Sequence, residues 1–148
     1  MPISFEKSHL AEIQRHGEAT YPQECCGFLL GRAEADRRIV QQIRAAPNMR
    51  TDSPQNRYEI SPKDYLRMDR EARERGLEII GFYHSHPDHP ARPSAFDLEN
   101  AWPGLVYVIL TVNRGKAGAI TAWVLSDDRS KFLPEEFANA ADLKNFQF

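Results

Sequence analysis

Apolar positions fall in bursts along this chain, and the spacing inside each burst predicts an element. Leu10 and Ile13 share one helical face and Ser8 stands where a cap would, so a helix is expected from residue 8 to about 19, limited by Gly17 and Pro22. Residues 26–30 form a short apolar run ending at Gly31, and 38–44 alternate imperfectly; they read as two strands joined by a polar turn. Residues 46–56 hold two prolines among polar side chains and read as an exposed loop. Ser61-Pro62 pairs a capping hydroxyl with a first-turn proline, which opens a helix running to Arg75 and stopped by Gly76. On its solvated face Asp69/Arg73 and Glu71/Arg75 are spaced as i,i+4 ion pairs.

Residues 77–83 are almost continuously apolar, as in a strand covered on both sides. A short helix is expected from 94 to about 101. Two strong strands, 105–112 and 119–125, flank a turn containing Gly115 and Gly118. From Pro134 the period is lost, although Phe137, Leu143, Phe146 and Phe148 imply packing against the domain or a partner. The order is helix, strands, helix, strand, helix, strands, which implies an α/β domain: a mixed sheet with helices against it.

Composition narrows this little. At 148 residues one domain is expected, and a core of that size buries roughly 68–70% of the unfolded surface without help from disulfides or a structural metal. Nineteen basic against 21 acidic side chains leave a net charge of −2, a field too weak to recruit nucleic acid or an anionic membrane. The longest apolar run, 105–112, falls far short of the ~20 residues that cross a bilayer. The opening Met-Pro-Ile-Ser-Phe-Glu has no secretory pattern, and the two cysteines, Cys25 and Cys26, are adjacent and supply no disulfide framework or four-cysteine zinc site. A cytoplasmic protein is the expectation.

The chemistry concentrates in His84-Ser85-His86-Pro87-Asp88-His89-Pro90-Ala91-Arg92-Pro93-Ser94-Ala95-Phe96-Asp97, directly after the apolar strand. If the extended geometry persists, His84 and His86 project to one side, where two imidazoles suit a divalent metal. Ser94 and Asp97, three apart at a helix start, reach the same end of that helix, so a carboxylate there completes a two-histidine site and leaves a position for water. Read alone, Ser-x-x-Asp is an ordinary cap and His-x-His an ordinary surface strand; their combination behind a buried strand favours a metal site.

These residues resemble the JAMM, or MPN+, metallopeptidases, whose signature is His-x-His-Pro, a gap of six or seven residues, Ser-x-x-Asp, and an upstream glutamate. Here the gap is six residues, and Glu24-Cys25-Cys26-Gly27-Phe28-Leu29-Leu30-Gly31 matches the upstream Glu-x-Cys-Gly-x-Leu-x-Gly pattern. The resemblance spans about residues 8 to 125, leaving 126–148 as a tail. It implies a single MPN domain, a curved mixed sheet flanked by helices in a layout like that of cytidine deaminases. It also implies one zinc ion on His84, His86 and Asp97, Glu24 as general base and Ser94 as hydrogen-bond donor to the oxyanion. Without the resemblance, Glu24 is an unremarkable acid at a strand start. His89 reads as a spectator at the cleft mouth, Cys26 as a small buried apolar residue, Cys25 as a remote metal neighbour, and His9 and His16 as surface residues.

The family cuts amide bonds after the C-terminal diglycine of ubiquitin-like proteins. Only seven residues, 98–104, separate Asp97 from the next strand, so the chain is similar to the small prokaryotic members, some of which act on sulfur-carrier tails. A ubiquitin-like or sulfur-carrier protein is therefore the expected partner, its tail lying extended along a sheet edge. Three other readings stay open: a non-haem iron oxygenase using two histidines and a carboxylate, a non-catalytic MPN-type scaffold, and a cysteine protease using Cys25 or Cys26. His-Glu-x-x-His is absent, as is the Pro-Cys-x-x-Cys of nucleobase deaminases.

Overall fold

Residues 1–49 and 58–138 are described by the computed structural model of the chain. Among them the order is β1 (Ile3–Ser4), α1 (Lys7–Thr20), β2 (Cys26–Glu34), β3 (Arg37–Ala46), α2 (Pro62–Glu74), β4 (Glu78–Pro87), α3 (Ala95–Glu99), β5 (Val106–Asn113), β6 (Lys116–Leu125) and β7 (Phe132–Glu135). The strands form one mixed sheet in the order β1-β3-β2-β4-β5-β6-β7, with β1/β3 and β4/β5 parallel and the other pairs antiparallel. The expected α/β class and curved mixed sheet are both present.

The two borders of this sheet meet. β1 lies between β3 on one side and the segment just beyond β7 on the other, where Phe137 bridges Ile3. The Ile3 N–H donates to the Glu136 carbonyl at 2.9 Å and the Ala138 N–H to the Ile3 carbonyl at 2.8 Å. Phe137 also packs against Phe5, as its apolar character implied; Leu143, Phe146 and Phe148 lie outside the described residues.

Each face of the sheet carries its own core. Ile3, Leu10, Ile13, Leu29, Tyr83, Val108 and Leu110 gather under α1, and Phe28, Leu30, Met68, Ala72, Phe82 and Tyr107 on the α2 side. Burying side chains of this size contributes about 1.5–3 kcal/mol each, which is why a chain with little else to stabilise it folds around two such layers. Strand alternation then fixes the site. Phe82 faces α2, so His84 and His86 follow it onto that side, while Tyr83 and Ser85 face α1.

Several local expectations are corrected. Helix α1 is capped at Glu6, not Ser8: the His9 N–H donates to the Glu6 carbonyl at 3.0 Å while the His9 ring accepts from the Glu6 N–H at 3.3 Å. His9 is consequently buried, and His16 is half-buried with its Nδ1 2.7 Å from the Tyr83 hydroxyl, so neither is a free surface residue. Gly17 does not limit the helix; it lies inside α1, where a Cβ would come within 2.7 Å of Leu110 Cδ2, so its role is close packing. Gly118 belongs to β6 rather than to the turn, which Gly115 makes at φ +85°. Asp69/Arg73 pair at 3.1 Å, but Glu71 reaches Arg44 at 2.9 Å instead of Arg75, whose guanidinium bonds Gln42 on β3.

Gly81 marks the tightest strand approach beside the site. A Cβ there would sit 2.1 Å from the Val106 carbonyl oxygen on parallel β5, a backbone atom that cannot swing aside. Gly81→Ala is expected to cost about 3 kcal/mol, the upper end for overpacking, and to lower the Tm by roughly 6–12 °C in a thermal melt. An unchanged Tm would mean that β4 and β5 separate more easily than this contact allows.

Candidate active site

Strand β4 runs straight through the His-x-His-Pro motif, so the imidazoles of His84 and His86 do project together. Their Nε2 atoms are 3.2 Å apart, and Asp97 Oδ2 lies 3.3 Å from one and 3.2 Å from the other. Asp97 is delivered by a short helix, α3, whose start is a reciprocal capping box. Ser94 Oγ accepts from the Asp97 N–H at 3.1 Å and Asp97 Oδ2 accepts from the Ser94 N–H at 2.9 Å. Ser-x-x-Asp is thus an ordinary helix cap that also sets the Asp97 carboxylate against both imidazoles. Ser94 Oγ spends lone pairs on the cap and keeps its hydroxyl proton for another acceptor.

The loop between β4 and α3 is clipped down by its own sheet. Asp88 takes a positive φ of 57°, accepts from the Arg114 N–H at 2.8 Å and from the Tyr21 hydroxyl at 2.6 Å. Thr111 Oγ donates to the His89 carbonyl and Thr121 Oγ to that of Ala91. The His89 side chain is exposed, as expected of a bystander. Next to it the Pro90 carbonyl accepts from His86 Nδ1 at 2.8 Å, which puts a proton on that nitrogen and turns Nε2 toward His84 and Asp97. His84 is oriented differently: the Tyr58 ring stacks on it at 4.4 Å and 23°, and its buried Nδ1 has no hydrogen-bond partner among the described residues.

Glu24 sits just ahead of β2 and is only 2% exposed. A carboxylate oxygen of Glu24 and a ring nitrogen from each of His84 and His86 lie within 4.8 Å of one another, a group able to hold a metal ion. Two carboxylates therefore converge on one pair of imidazoles, and their environments drive them apart. Burial pushes the Glu24 carboxyl up to about 9, helped by the negative charge of Asp97. Burial acts on Asp97 in the same sense, but the two imidazoles and the Ser94 N–H outweigh it and hold that carboxyl well below the usual range. Burial lowers His84, keeping it neutral and able to ligate.

The three close donor atoms also have the right spacing. Ligands at 2.0–2.1 Å from a tetrahedral ion stand about 3.3–3.4 Å apart, and the triangle of His84, His86 and Asp97 has edges of 3.2–3.3 Å. The two thiols part company, Cys25 to the far face and Cys26 to the face of the histidines, beside His84 in the β2/β4 register. Cys25 lies in the core under α1, on the opposite face, with its thiol pushed up to about 11 by burial; Cys26 is wholly buried, as its small apolar character implied. Sequence reasoning missed the Pro90 carbonyl, which carries no side-chain signal, and Tyr58, one aromatic ring in a polar stretch.

The Glu24 shift has a measurable sign. With cations chelated, folded Glu24 keeps its proton up to about pH 9 while the unfolded carboxyl loses it above its ordinary value of 4.5. The native state then binds more protons than the unfolded one, so stability falls as pH rises. His84 and Asp97 act oppositely but only below their ordinary values of 6.5 and 3.8, and the buried thiols of Cys25 and Cys26 add to the fall only on approach to their ordinary value of 9.0, which leaves pH 7–8 to Glu24. Across that window chelated protein is expected to lose up to about 1.4 kcal/mol per pH unit, and Glu24→Gln to abolish the slope. Denaturant titrations at three pH values measure it; a flat wild-type profile would mean that Glu24 is ionised in its site.

Comparison with known proteins gives the family. A desampylase of Haloferax volcanii is 38% identical over 76% of this chain and 76% of its own. A probable TtuB-protein conjugate cleaving protease of Thermus thermophilus is 34% identical over 68% of this chain and 64% of its own. The solution structure of a Salinibacter ruber protein superposes with a TM-score of 0.72 at 45% identity, covering 93% of this chain and 90% of that one. Residues 6–126, which hold Glu24, both histidines and the Ser94–Asp97 cap, match the family described as prokaryotic homologs of the JAB domain, and to that small prokaryotic JAMM/MPN family the chain belongs.

Proposed function

We propose that this protein, a JAMM-type hydrolase by family and by its named relatives, uses one zinc ion to cleave the amide or isopeptide bond after the C-terminal diglycine of a ubiquitin-like or sulfur-carrier protein. The observation that carries the reading is the pair of oppositely poised carboxylates around His84 and His86. His84, His86 and Asp97 would hold the ion, since Asp97 is the nearer and the ionised carboxylate, and Glu24 would remain the acid–base group. Zinc, when bound, lowers the pKa of a water toward about 7 and polarises a carbonyl.

The chain's own groups do the rest. Glu24 bears a proton in the chelated chain, and the positive charge of a bound cation would return it to its carboxylate form. It would then take a proton from the attacking water and return it to the departing amine. Ser94 donates its remaining hydroxyl proton to the oxygen that becomes negative. Beyond Ile39 the outer side of β3 pairs with no other described strand, which leaves an edge next to Glu24 where an extended tail can lie. An iron oxygenase would have no use for Glu24 or Ser94. Among the described residues no helix is long and apolar enough to cross a membrane, and both cysteines are free thiols, which suits a reducing cytoplasm.

The test is incubation of the protein with conjugates of a small diglycine-ended carrier, with and without chelator, read by intact mass. Release of carrier with its diglycine whole, blocked by chelation and restored by zinc, is the expected result. Intact conjugates in the presence of zinc would overturn the reading, as would cleavage that ignores chelator and stops on thiol alkylation.

A further inference from the structure

Between β3 and α2 the chain leaves and returns past Glu24. The Met49 N–H donates to the Glu59 carbonyl at 2.8 Å, and the Glu59 N–H donates to Asn48 Oδ1 at 3.1 Å. The same Asn48 side chain turns its amide nitrogen the other way, donating to the Glu24 carbonyl at 3.3 Å. Tyr58, next to Glu59, is the ring that lies flat on His84.

The peptide unit joining Glu24 to Cys25 is thereby held at both ends. Its oxygen accepts from Asn48, and its N–H donates to Ser85 Oγ at 2.8 Å, between the two histidines of β4. A peptide unit is planar and rigid, so holding its oxygen and its N–H fixes where the Glu24 Cα lies and the Cα–C axis about which its side chain turns. Ser85 ties that axis to the imidazoles, and Asn48 ties it to the arm that carries Tyr58. Glu24 itself precedes β2 and makes no ladder bond of its own among the described residues, so these two side-chain bonds, with the Ser85 N–H to Cys25 carbonyl bond at 3.1 Å beside them, set where it sits.

We propose that Asn48 is a positioning residue for Glu24: its amide joins the Tyr58 arm to the peptide that seats the acid, so that arm and acid keep one fixed geometry. The inference rests on the acid–base role given to Glu24 above. It is tested with Asn48→Ala, which removes both bonds, and Asn48→Asp, which keeps an acceptor for the Glu59 N–H but loses the donor to Glu24. In zinc-loaded protein Asn48→Ala is expected to lower kcat by about 10–100-fold, as for a small misplacement of a reacting group, with one zinc per chain and KM within about twofold. In a Glu24→Gln background the same substitution is expected to change kcat little, because the two act as a unit. An equal loss in both backgrounds, or a loss explained by missing zinc or raised KM, would overturn the proposal.

Amide hydrogen exchange on the chelated chain supplies a readout independent of turnover. Asn48→Ala is expected to speed exchange at both Glu59 and Cys25 by about tenfold, and Asn48→Asp at Cys25 alone, each bond being a modest one. Exchange identical to wild type in both variants would overturn the bracket. If zinc-loaded wild-type protein cleaves no carrier conjugate, the functional reading fails by itself, and the bracket stands or falls on these exchange rates.

Discussion

Glu24→Gln is expected to leave a folded protein with one zinc per chain and unchanged KM, while kcat falls by about 10²–10⁴-fold, the range for removing a general acid–base group. Glutamine has the shape of the buried side chain and carries no charge, and the carboxyl it replaces is itself neutral in the chelated protein at pH 7, since burial pushes it up to about 9. Packing is therefore undisturbed. What disappears is the ability to accept a proton from water and return it. Turnover measured beside metal content separates the possibilities. A variant as fast as wild type would remove Glu24 from the reaction. A variant that loses zinc would move Glu24 into the ligand set, which its 4.8 Å grouping with both imidazoles makes a real alternative.

Asp97→Ala is expected to abolish both metal binding and turnover, a larger effect than the about 10–100-fold lost when a group behind a ligand is removed. One oxygen, Asp97 Oδ2, lies against His84, His86 and the Ser94 N–H together. Alanine deletes the only anion in that triangle and breaks the reciprocal cap of α3, which costs about 1 kcal/mol in its own right. Asp97→Asn separates the two effects, because its amide oxygen still accepts from the Ser94 N–H while its charge is gone. Metal analysis and conjugate cleavage are expected to fail for both variants, and thermal stability mainly for alanine. An Asp97→Asn protein with full zinc and full activity would place the ion elsewhere.

Much of this site could be read from spacing, because period-two geometry and a helix cap are local rules. Residues 84–86 needed only that the preceding strand continue, and Ser61 and Ser94 needed only a hydroxyl before a helix; each Oγ accepts from the N–H of the third residue on, Asp64 and Asp97. Glu24 was visible only through the family pattern, since the groups it faces, His84, His86 and the charge of Asp97, lie far along the chain. Asn48 and Tyr58 lie in or beside a stretch that reads as exposed loop, and their partners, Glu24 and His84, are distant in sequence. Strands β1 and β7 are two and four residues long, too short to show a period, and exist through pairing with β3 and β6. The cap at Glu6 was hidden because its partner is a histidine ring rather than the usual carboxyl or amide.

The meeting of the sheet's borders at Ile3 and Phe137 bears on how this molecule behaves among its own copies. A strand margin with idle N–H and C=O groups invites a neighbour to zip onto it, and at Ile3 both of those groups are taken up within the molecule by residues 136–138, while β3 beyond Ile39 keeps its open side. Shortened variants ending before Glu136 would undo that clasp and bare two adhesive seams at once. Domain trimming should therefore stop outside Ala138, and a fusion partner belongs on a spacer that leaves residues 136–138 seated.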